Sequence, residues 1–321
     1  MTAPSGVLRL GTRGSALAMA QSTAIAAQVT ELTGRQVELV TITTAGDVST
    51  EPLASMGGVG VFVSALREAL LAGEIDFAVH SLKDLPTDDA SGLVIAAIPP
   101  RADPRDALVA RDGLVLGELP TGSRVGTGSP RRAAQLQALG LGLEIVEIRG
   151  NVDTRLAKVA SGELDGVILA RAGLVRLGRA DEITETLDPI QMLPAPGQGA
   201  LAVECRDPDT DSAAADVFAA LRGLDDPWTR AVVAAERSLL ATLEAGCSAP
   251  VGALGEAIEG DPETGEEDEL YLRATVLAID GTDAVRQSTT GPLVEAEMLG
   301  RKLAAEMLAD GADVLMQEES A

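Results

Sequence analysis

The 321-residue sequence is poor in aromatic residues, histidine and cysteine. Aromatic side chains make up 2% of the chain, which has one histidine, His80, and two cysteines, Cys205 and Cys247. A single histidine excludes a His-rich metal centre, and we expect no metal. Two cysteines cannot form a disulfide framework. No apolar run reaches the 18 residues of a membrane span, and no secretory signal is recognisable, so we expect a cytoplasmic protein.

Positive charge is also scarce. The chain has 25 Lys+Arg against 49 Asp+Glu, a formal net charge of −24, and its only lysines are Lys83, Lys158 and Lys302. Such a chain is not expected to bind nucleic acid non-specifically. An acidic, lysine-poor surface favours a protein adapted to high salt, where self-repulsion is screened. An ordinary acidic protein from a GC-rich genome is the alternative.

What the sequence does contain is an alternation of strand and helix patterns. The first 200 residues predict strands at 7–10, 37–43, 77–79, 93–98, 124–126, 144–148 and 167–170, and helices at 15–32, 61–71, 130–139, 152–160 and 171–177. Beyond them we predict strands at 200–204 and 270–279 and helices at 229–243 and 295–308. The alternation predicts α/β domains with mostly parallel sheets, followed by a small α+β domain.

Short strings recur in the same order in two blocks of the chain. RLGT at residues 9–12 matches RVGT at 124–127, and GEID at 73–76 matches GELD at 162–165. We interpret this as two α/β domains of similar topology facing each other across a cleft, although coincidence between short strings is the alternative. The predicted domains are residues 1–99 with 200–221, residues 100–199, and residues 222–321.

Arginines are concentrated in the second block. Five of them fall between residues 124 and 155, against three acidic residues, in a chain with the opposite balance. Several follow a strand or begin a helix, which places them at the ligand edge of an open α/β sheet. Thr127, Ser129 and the first amides of a helix add donors for anions there. A ligand with several carboxylates or phosphates would suit this edge. Surface salt bridges are the alternative, and for Arg124 we prefer it.

The first block carries its own polar residues at the equivalent edge. Arg13 and Ser15 follow its first strand, and Lys83 and Asp84 follow the strand at 77–79. An Asp held beside cations can stabilise a cationic intermediate or transfer a proton. A structural turn residue before Pro86 explains Asp84 equally well.

Two loops complete the candidates. Gly57–Gly60 (GGVG) precedes a helix but lacks the Lys-Ser/Thr of a phosphate-binding loop, so a mobile active-site loop is a better interpretation than a nucleotide site. Cys247 lies in a turn after a helix, where it is either an inert buried thiol or an attachment point. The acidic run at 259–269 is interpreted as a solvated surface loop.

Taken together, these segments resemble the porphobilinogen deaminase (hydroxymethylbilane synthase) family over most of the first 255 residues. The motifs that carry the resemblance are LGTRGS (10–15), DFAVHSLKDLP (76–86), RVGTGSPRR (124–132), RGNVDTRL (149–156), AGLVRL (172–177), GQGA (197–200) and LEAGC (243–247). The resemblance implies three domains, of which the first two are similar to periplasmic binding proteins, and it implies a monomer.

The resemblance also implies an activity. Enzymes of this family are transferases of tetrapyrrole (haem) biosynthesis that join four porphobilinogen units head to tail, release ammonia at each step, and free hydroxymethylbilane by hydrolysis. The chain grows on a dipyrromethane cofactor, itself made from porphobilinogen and held by a thioether to a cysteine. The matching cysteine is Cys247, and Asp84 matches the catalytic aspartate.

Further residues match positions that bind the acetate and propionate groups of these pyrroles. Those expected at the cofactor are Lys83, Asp84, Thr127, Ser129, Arg131 and Arg132; those expected at the substrate are Arg13, Ser15, Arg149, Arg155 and Arg176.

The sequence also departs from the family pattern. Val59 and Ser64 stand where the family has lysines, and Pro130 stands where it has leucine, which suggests altered loop closure with the reaction retained. A two-lobed binding protein for a polycarboxylate, without catalysis, is the rival interpretation.

Overall fold

The computed structural model describes residues 6–43, 63–245, 249–261, 263 and 265–317. The chain divides into two compact units, Met1–Arg101 with Ala200–Arg230, and Ala102–Gly199 with Ala231–Ala321. The glycine-rich loop at 57–60 and Cys247 lie outside the described residues. The second unit contains residues assigned above to two domains, and the division into three domains stays a prediction.

The first stretch of the chain alternates strands with helices. Its elements are β1 (Leu8–Thr12), α1 (Ala16–Thr33), β2 (Val37–Thr41), α2 (Ser64–Leu71), β3 (Phe77–Ser81) and β4 (Leu93–Ala97). Helix α1 begins and ends where its sequence predicts. The Ser15 hydroxyl accepts a hydrogen bond from the Ala18 amide, and Gly34 ends the helix in the left-handed region at φ 69°, which glycine adopts without a Cβ penalty.

The second stretch repeats the alternation. Its elements are β5 (Asp106–Ala110), β6 (Arg124–Thr127), α3 (Pro130–Ala138), β7 (Glu144–Glu147), α4 (Val152–Ala160), β8 (Gly166–Ala170), α5 (Arg171–Arg176) and β9 (Glu185–Thr186). Strand β5 was missed in the sequence, although Asp106 is followed there by an apolar run. Pro130 occupies the first turn of α3, where its missing N–H costs nothing.

The rest of the chain completes the first sheet and builds a third. Its elements are β10 (Leu201–Arg206), α6 (Ala215–Arg222), α7 (Pro227–Thr242), β11 (Val251–Ile258), β12 (Glu269–Leu277), β13 (Ala284–Pro292), α8 (Ala296–Ala309) and α9 (Ala312–Gln317). Strands β11, β12 and β13 form an antiparallel sheet. Only β12 was predicted, because β11 and β13 are interrupted by glycine and polar residues. Described residues of the acidic run at 259–269 are exposed, except for Gly260, which is half-buried.

Two five-stranded sheets share one plan. Their orders are β2-β1-β3-β10-β4 and β7-β6-β8-β5-β9. In each sheet the fourth strand runs antiparallel to both neighbours, and the other strands are parallel. The inserted strand is β10 in the first sheet and β5 in the second, and these strands follow the first two changes of unit along the chain. The predicted fold class, two α/β domains of similar topology with a smaller α+β region, is confirmed.

The recurring strings occupy equivalent places in the two sheets. Asp76 accepts the Arg9 amide at 2.7 Å and its own amide donates to the Arg9 carbonyl at 2.8 Å. Asp165 does the same with Arg124, at 2.7 and 2.8 Å. In both cases the aspartate ties the turn before one strand to the start of its parallel neighbour. The internal repeat is therefore structural and not a coincidence of letters.

Each sheet is covered by its own apolar cluster. In the first, Leu10, Ile25, Phe77 and Val203 are among the buried residues between the sheet and its helices. The second sheet has one cluster around Leu108 and Val125 and another on its opposite face around Val167. Aliphatic side chains supply nearly all of this core, as the composition predicts. Across the described residues, no helix has the length and apolarity that crossing a membrane requires.

Candidate active site

Four predicted site residues of the first unit lie where two adjacent parallel strands end. Arg13 directly follows β1, and Ser15 caps α1. Lys83 and Asp84 lie in a single 3-10 turn directly after β3. Strands β1 and β3 pair in parallel, so all four residues come from the carboxyl edge of the same sheet. Asp84 is exposed and the other three are half-buried, which leaves the Asp84 carboxylate accessible to solvent.

Buried hydrogen bonds hold the backbone beneath this edge. The Ser22 hydroxyl donates to Thr12 Oγ1 at 2.8 Å, and Gln21 Nε2 donates to Ser81 Oγ at 3.0 Å. Both donors lie on α1, and their partners are the last residues of β1 and β3. Helix α1 therefore fixes the points from which Arg13 and Lys83 project.

His80 lies deeper in the first unit than the candidate residues. Its Nε2 is 3.2 Å from Glu204 Oε2, and Arg67 pairs with the same carboxylate at 2.8 Å. Burial alone would raise the pKa of Glu204, but His80 and Arg67 together hold it below its ordinary value. The only histidine of the chain thus belongs to a buried ion cluster.

In the second unit, Thr127 and Ser129 lie at the carboxyl end of β6. Ser129 occupies the N-cap position of α3, but its side chain makes no capping bond, and its amide donates to Thr127 Oγ1 at 3.2 Å. Its hydroxyl is therefore not used for capping. A Cβ on Gly128 would come within 2.5 Å of the Ile148 carbonyl oxygen, so only glycine lets this turn pass β7 so closely.

The arginine pair in the first turn of α3 is buried and shares one counter-ion. Asp106 Oδ2 is 2.8 Å from Arg131 Nη2, and Asp106 Oδ1 is 2.8 Å from Arg132 Nη2. All three side chains are almost completely buried. The second guanidinium nitrogens bond to backbone carbonyls, Arg131 to Leu193 at 2.5 Å and Arg132 to Ile168 at 3.1 Å. The pair is thus fixed in place, with one positive charge in excess.

The titration of this cluster follows from its charges. Burial alone would raise the pKa of Asp106, but the two guanidiniums overcome this effect and hold it well below its usual range. Burial lowers the pKa of Arg131, an effect that Asp106 opposes. The carboxylate is therefore ionised at every pH at which the protein would be assayed.

Three further predicted arginines lie near this end of the second sheet. Arg149 is exposed and pairs with Glu147 at 3.2 Å, and Arg176 donates to the Gly199 carbonyl at 2.6 Å. Arg155 is half-buried, and its Nε donates to the Gly150 carbonyl at 2.9 Å. Burial and the nearby charges of Arg132 and Arg149 lower the pKa of Arg155. Arg155 has no carboxylate partner within the described ranges, although the chain is strongly acidic.

Arg124 belongs to the surface, as its sequence context suggested. It bonds to the Glu163 carbonyl at 2.6 Å and lies 3.6 Å from Glu144. Sequence reasoning missed Asp106 and Gln198, whose side chains meet at 2.8 Å under the arginine pair. The local excess of arginine was a signal that some distant acid must balance it, but the spacing did not say which one.

The two thiols differ in what the structure says of them. Cys247 lies outside the described residues. Cys205 is fully buried in β10, and burial raises the pKa of its thiol to about 12. Cys205 is therefore an inert thiol. In the described parts of the chain, no group of three His, Cys, Asp or Glu side chains could hold a metal ion.

Comparison with protein families gives two adjacent matches. Residues 8–214 match the family described as "Porphobilinogen deaminase, dipyromethane cofactor binding domain", and residues 231–309 match "Porphobilinogen deaminase, C-terminal domain". Together they cover most of the chain and all of the described candidate residues.

Curated relatives match along nearly the whole length. Porphobilinogen deaminase 1 of Streptomyces coelicolor is 60% identical over 321 residues, with 98% of each chain covered. Porphobilinogen deaminase of Mycobacterium bovis is 59% identical over 311 residues, with 97% of this chain and 98% of the relative covered.

Among solved structures, similar folds include a periplasmic substrate-binding protein of an ABC transporter from Coxiella burnetii, with a TM-score of 0.41 and 17% identity over 67% of this chain and 91% of that one. A methionine-binding protein gives a TM-score of 0.41 and 16% identity over 67% and 89%.

The shared strand order defines a protein with two five-stranded sheets of α/β type, and the second of them carries buried and exposed arginines near its carboxyl edge. The family matches then fix the class, and the chain belongs to the porphobilinogen deaminase family. The predicted family, its transferase activity and its dipyrromethane cofactor are confirmed.

Proposed function

We propose that this chain performs the reaction of its family with the residues that the sequence motifs assign. It joins four porphobilinogen units head to tail with loss of ammonia and releases hydroxymethylbilane. The observation that carries this assignment is the uncompensated positive charge around Arg155 and the arginine pair in a chain of net charge −24. Guanidinium charge that exceeds its carboxylate partners, in such an acidic protein, favours a ligand that brings its own anions, and the acetates and propionates of pyrroles supply them.

The residues of the second unit fit the dipyrromethane cofactor. Each of its pyrroles carries an acetate and a propionate, and the edge beyond β6 offers the free Ser129 hydroxyl and the excess charge of the arginine pair. Arg131 Nε is also buried without a hydrogen-bond partner. We assign Thr127, Ser129, Arg131 and Arg132 to this cofactor, together with Lys83 and Asp84 of the first unit. When bound, the cofactor supplies the pyrrole carbon at which the growing chain is extended.

Asp84 is assigned the catalytic role. Loss of ammonia from porphobilinogen leaves a cation, and an ionised carboxylate close to the pyrrole nitrogen stabilises that charge. The same carboxylate can accept or return a proton. Its exposure after β3 and its neighbour Lys83 suit this role. The carboxylate oxygens of an aspartate buried against arginines would already be occupied by hydrogen bonds.

The remaining arginines are assigned to the substrate. Arg13 and Ser15 of the first unit, and Arg149, Arg155 and Arg176 of the second, each offer donors to carboxylate groups. Arg149 is held only by an exposed pair with Glu147, which contributes little and is easily exchanged for a ligand. Arg155 and Arg176 bond to backbone carbonyls and keep further guanidinium hydrogens for a ligand.

Cys247 is assigned as the thioether attachment point, and the test is the mass of the intact protein. We expect an added mass equal to two porphobilinogen-derived pyrrole units, located by peptide mapping on the peptide that contains Cys247. Cys205 is an internal control because its buried thiol is unreactive in the folded protein. A protein whose Cys247 peptide is unmodified and which still gains no mass after incubation with porphobilinogen would contradict the assignment and favour a binding protein without catalysis.

The remaining expectations from the sequence stay predictions. These are a monomeric state, a cytoplasmic location, no binding of nucleic acid and a surface adapted to high salt. Turnover measured at low and high salt would test the last of them and would show whether the chain, which has Val59 in place of the family lysine, is active.

A further inference from the structure

We propose that Asp106 is a positioning residue of the cofactor site, which holds the guanidinium groups of Arg131 and Arg132 in the orientation that carboxylate binding requires. The proposal rests on the function proposed above. It adds a residue that is outside the sequence motifs and that does not itself contact the ligand.

The geometry of Asp106 is that of a shared counter-ion. Each carboxylate oxygen takes a different arginine, Oδ2 with Arg131 Nη2 and Oδ1 with Arg132 Nη2, both at 2.8 Å, and Oδ1 also accepts Arg132 Nε at 3.1 Å. Gln198 Nε2 donates to Oδ1 at 2.8 Å and to the Pro104 carbonyl at 2.7 Å. The carboxylate is therefore fixed before any ligand arrives, and so are its partners.

The topology explains why Asp106 can reach the pair. Asp106 is the first residue of β5, which runs antiparallel to β8. It pairs with Ala170, the last residue of β8. The start of an antiparallel strand thus lies at the carboxyl edge of its parallel neighbours. This edge is where α3 begins and where its first-turn arginines lie.

The charges of Asp106 and the arginine pair explain why their contact matters for ligand binding. Two buried guanidiniums with one carboxylate leave one positive charge for a ligand, whereas the same pair without Asp106 would repel each other in a site with little water. Burial and, to a smaller extent, the charge of Arg132 lower the pKa of Arg155. Asp106 therefore holds the two guanidinium groups close together and neutralises only one of their two charges.

Asp106→Asn and Asp106→Glu test this role. The variants are first shown to be folded by circular dichroism at low temperature, and the gain of mass from porphobilinogen is then followed well below the melting temperature. Since misplacing a binding group by about 1 Å can cost roughly a hundredfold, we expect Asp106→Asn to gain mass ten to a hundred times more slowly, with a higher half-saturating porphobilinogen concentration. Asp106→Glu keeps the charge but shifts it by one methylene, and should fall between that variant and the wild type.

Asp103→Asn is the matched control. Asp103 also pairs with two arginines, Arg105 at 2.6 Å and Arg171 at 3.4 Å, but it is more exposed than Asp106 and does not touch the pair. It should gain mass at the wild-type rate.

A folded Asp106→Asn variant that gains mass at the wild-type rate would overturn the positioning role. If Asp106→Asn does not fold, Asp106→Glu decides. Wild-type loading by Asp106→Glu would then overturn the positioning role, because the placement of the carboxylate would not affect the site. A wild-type protein that gains no mass overturns the proposed function itself, and the positioning role with it.

Discussion

The two five-stranded sheets have equivalent strand orders, yet different side chains lie at their carboxyl edges. The first edge presents an accessible carboxylate, Asp84, beside Lys83. The second edge buries its carboxylate, Asp106, under two arginines. By contrast, the strand plan is the same in both sheets, and the Arg9–Asp76 contact of the first corresponds to the Arg124–Asp165 contact of the second.

The two sheets thus share the contacts that hold their strands together and differ in the side chains at their carboxyl edges. An aspartate in water close to one lysine remains available to a reacting group. An aspartate shared by two buried arginines has its lone pairs occupied and can only orient its partners. The role proposed for this residue type is therefore catalysis on one sheet and positioning on the other.

The largest effect is expected at the accessible carboxylate. Asp84→Asn should lower turnover of porphobilinogen by about 10²- to 10⁴-fold, the usual contribution of a general acid or base. Melting temperature should not change, because Asp84 is exposed, and the cofactor should still be attached, as intact mass would show. Asp88→Asn, an exposed aspartate a few residues further on, is the control. Near-normal turnover of Asp84→Asn would remove the contrast between the two edges.

A smaller effect is expected at the arginine edge. Arg155→Gln should raise the half-saturating porphobilinogen concentration about ten- to a hundredfold, since a hydrogen bond to a charged group contributes about 1.5–3 kcal/mol. Arg124→Gln removes an exposed guanidinium from the same sheet and should change it little. Equal effects of the two substitutions would mean that general charge, and not a local site, attracts the substrate.

The similar packing of the two five-stranded sheets can be tested at one glycine in each. A Cβ on Gly11 would overlap the Ile75 side chain, and one on Gly126 would lie 2.6 Å from Leu164 Cδ1. Both Gly11→Ala and Gly126→Ala should lower the free energy of unfolding by about 1–3 kcal/mol, the usual cost of overpacking. Gly117→Ala, with nothing within 4 Å, is the control. If only one of the substitutions Gly11→Ala and Gly126→Ala lowers the free energy of unfolding, the two sheets are packed less alike than their contacts suggest.

The smallest effect concerns the turn aspartates. Burial alone would raise the pKa of Asp76, but hydrogen bonds and charge from Arg9 hold it below its ordinary value. A lowered folded-state pKa stabilises the protein above the unfolded value of about 3.9, and this stabilisation is lost as pH falls through the folded-state value.

Asp76→Asn should therefore lower the free energy of unfolding at neutral pH by at most about 1 kcal/mol, because Arg9 is 41% exposed and its charge is screened. The difference in free energy of unfolding between Asp76→Asn and the wild type should disappear below about pH 4. Urea unfolding at a series of pH values would measure this difference. A gap that persists in acid would assign the effect to the hydrogen bonds alone.

Much of this structure could be predicted from local sequence. Helix α1 has its cap at Ser15 and its stop at Gly34, and α4 was predicted at its observed bounds. The motif residues lie after the strands that the pattern predicts. Strand β5 was not predicted because four apolar residues after Asp106, in a loop-rich stretch, do not reveal the direction of a strand or its neighbours.

The sequence by itself determined the alternation of elements, the repeat, the family and the residues placed at each edge. These depend on periodicity and on contacts between residues close in the chain. Only the tertiary structure decided that Asp106 balances Arg131 and Arg132, that Glu204 holds His80 and Arg67, and that Cys205 is the inert thiol. Those facts depend on burial and on partners brought together by strand order, and a charge in the sequence does not specify which distant charge it will meet.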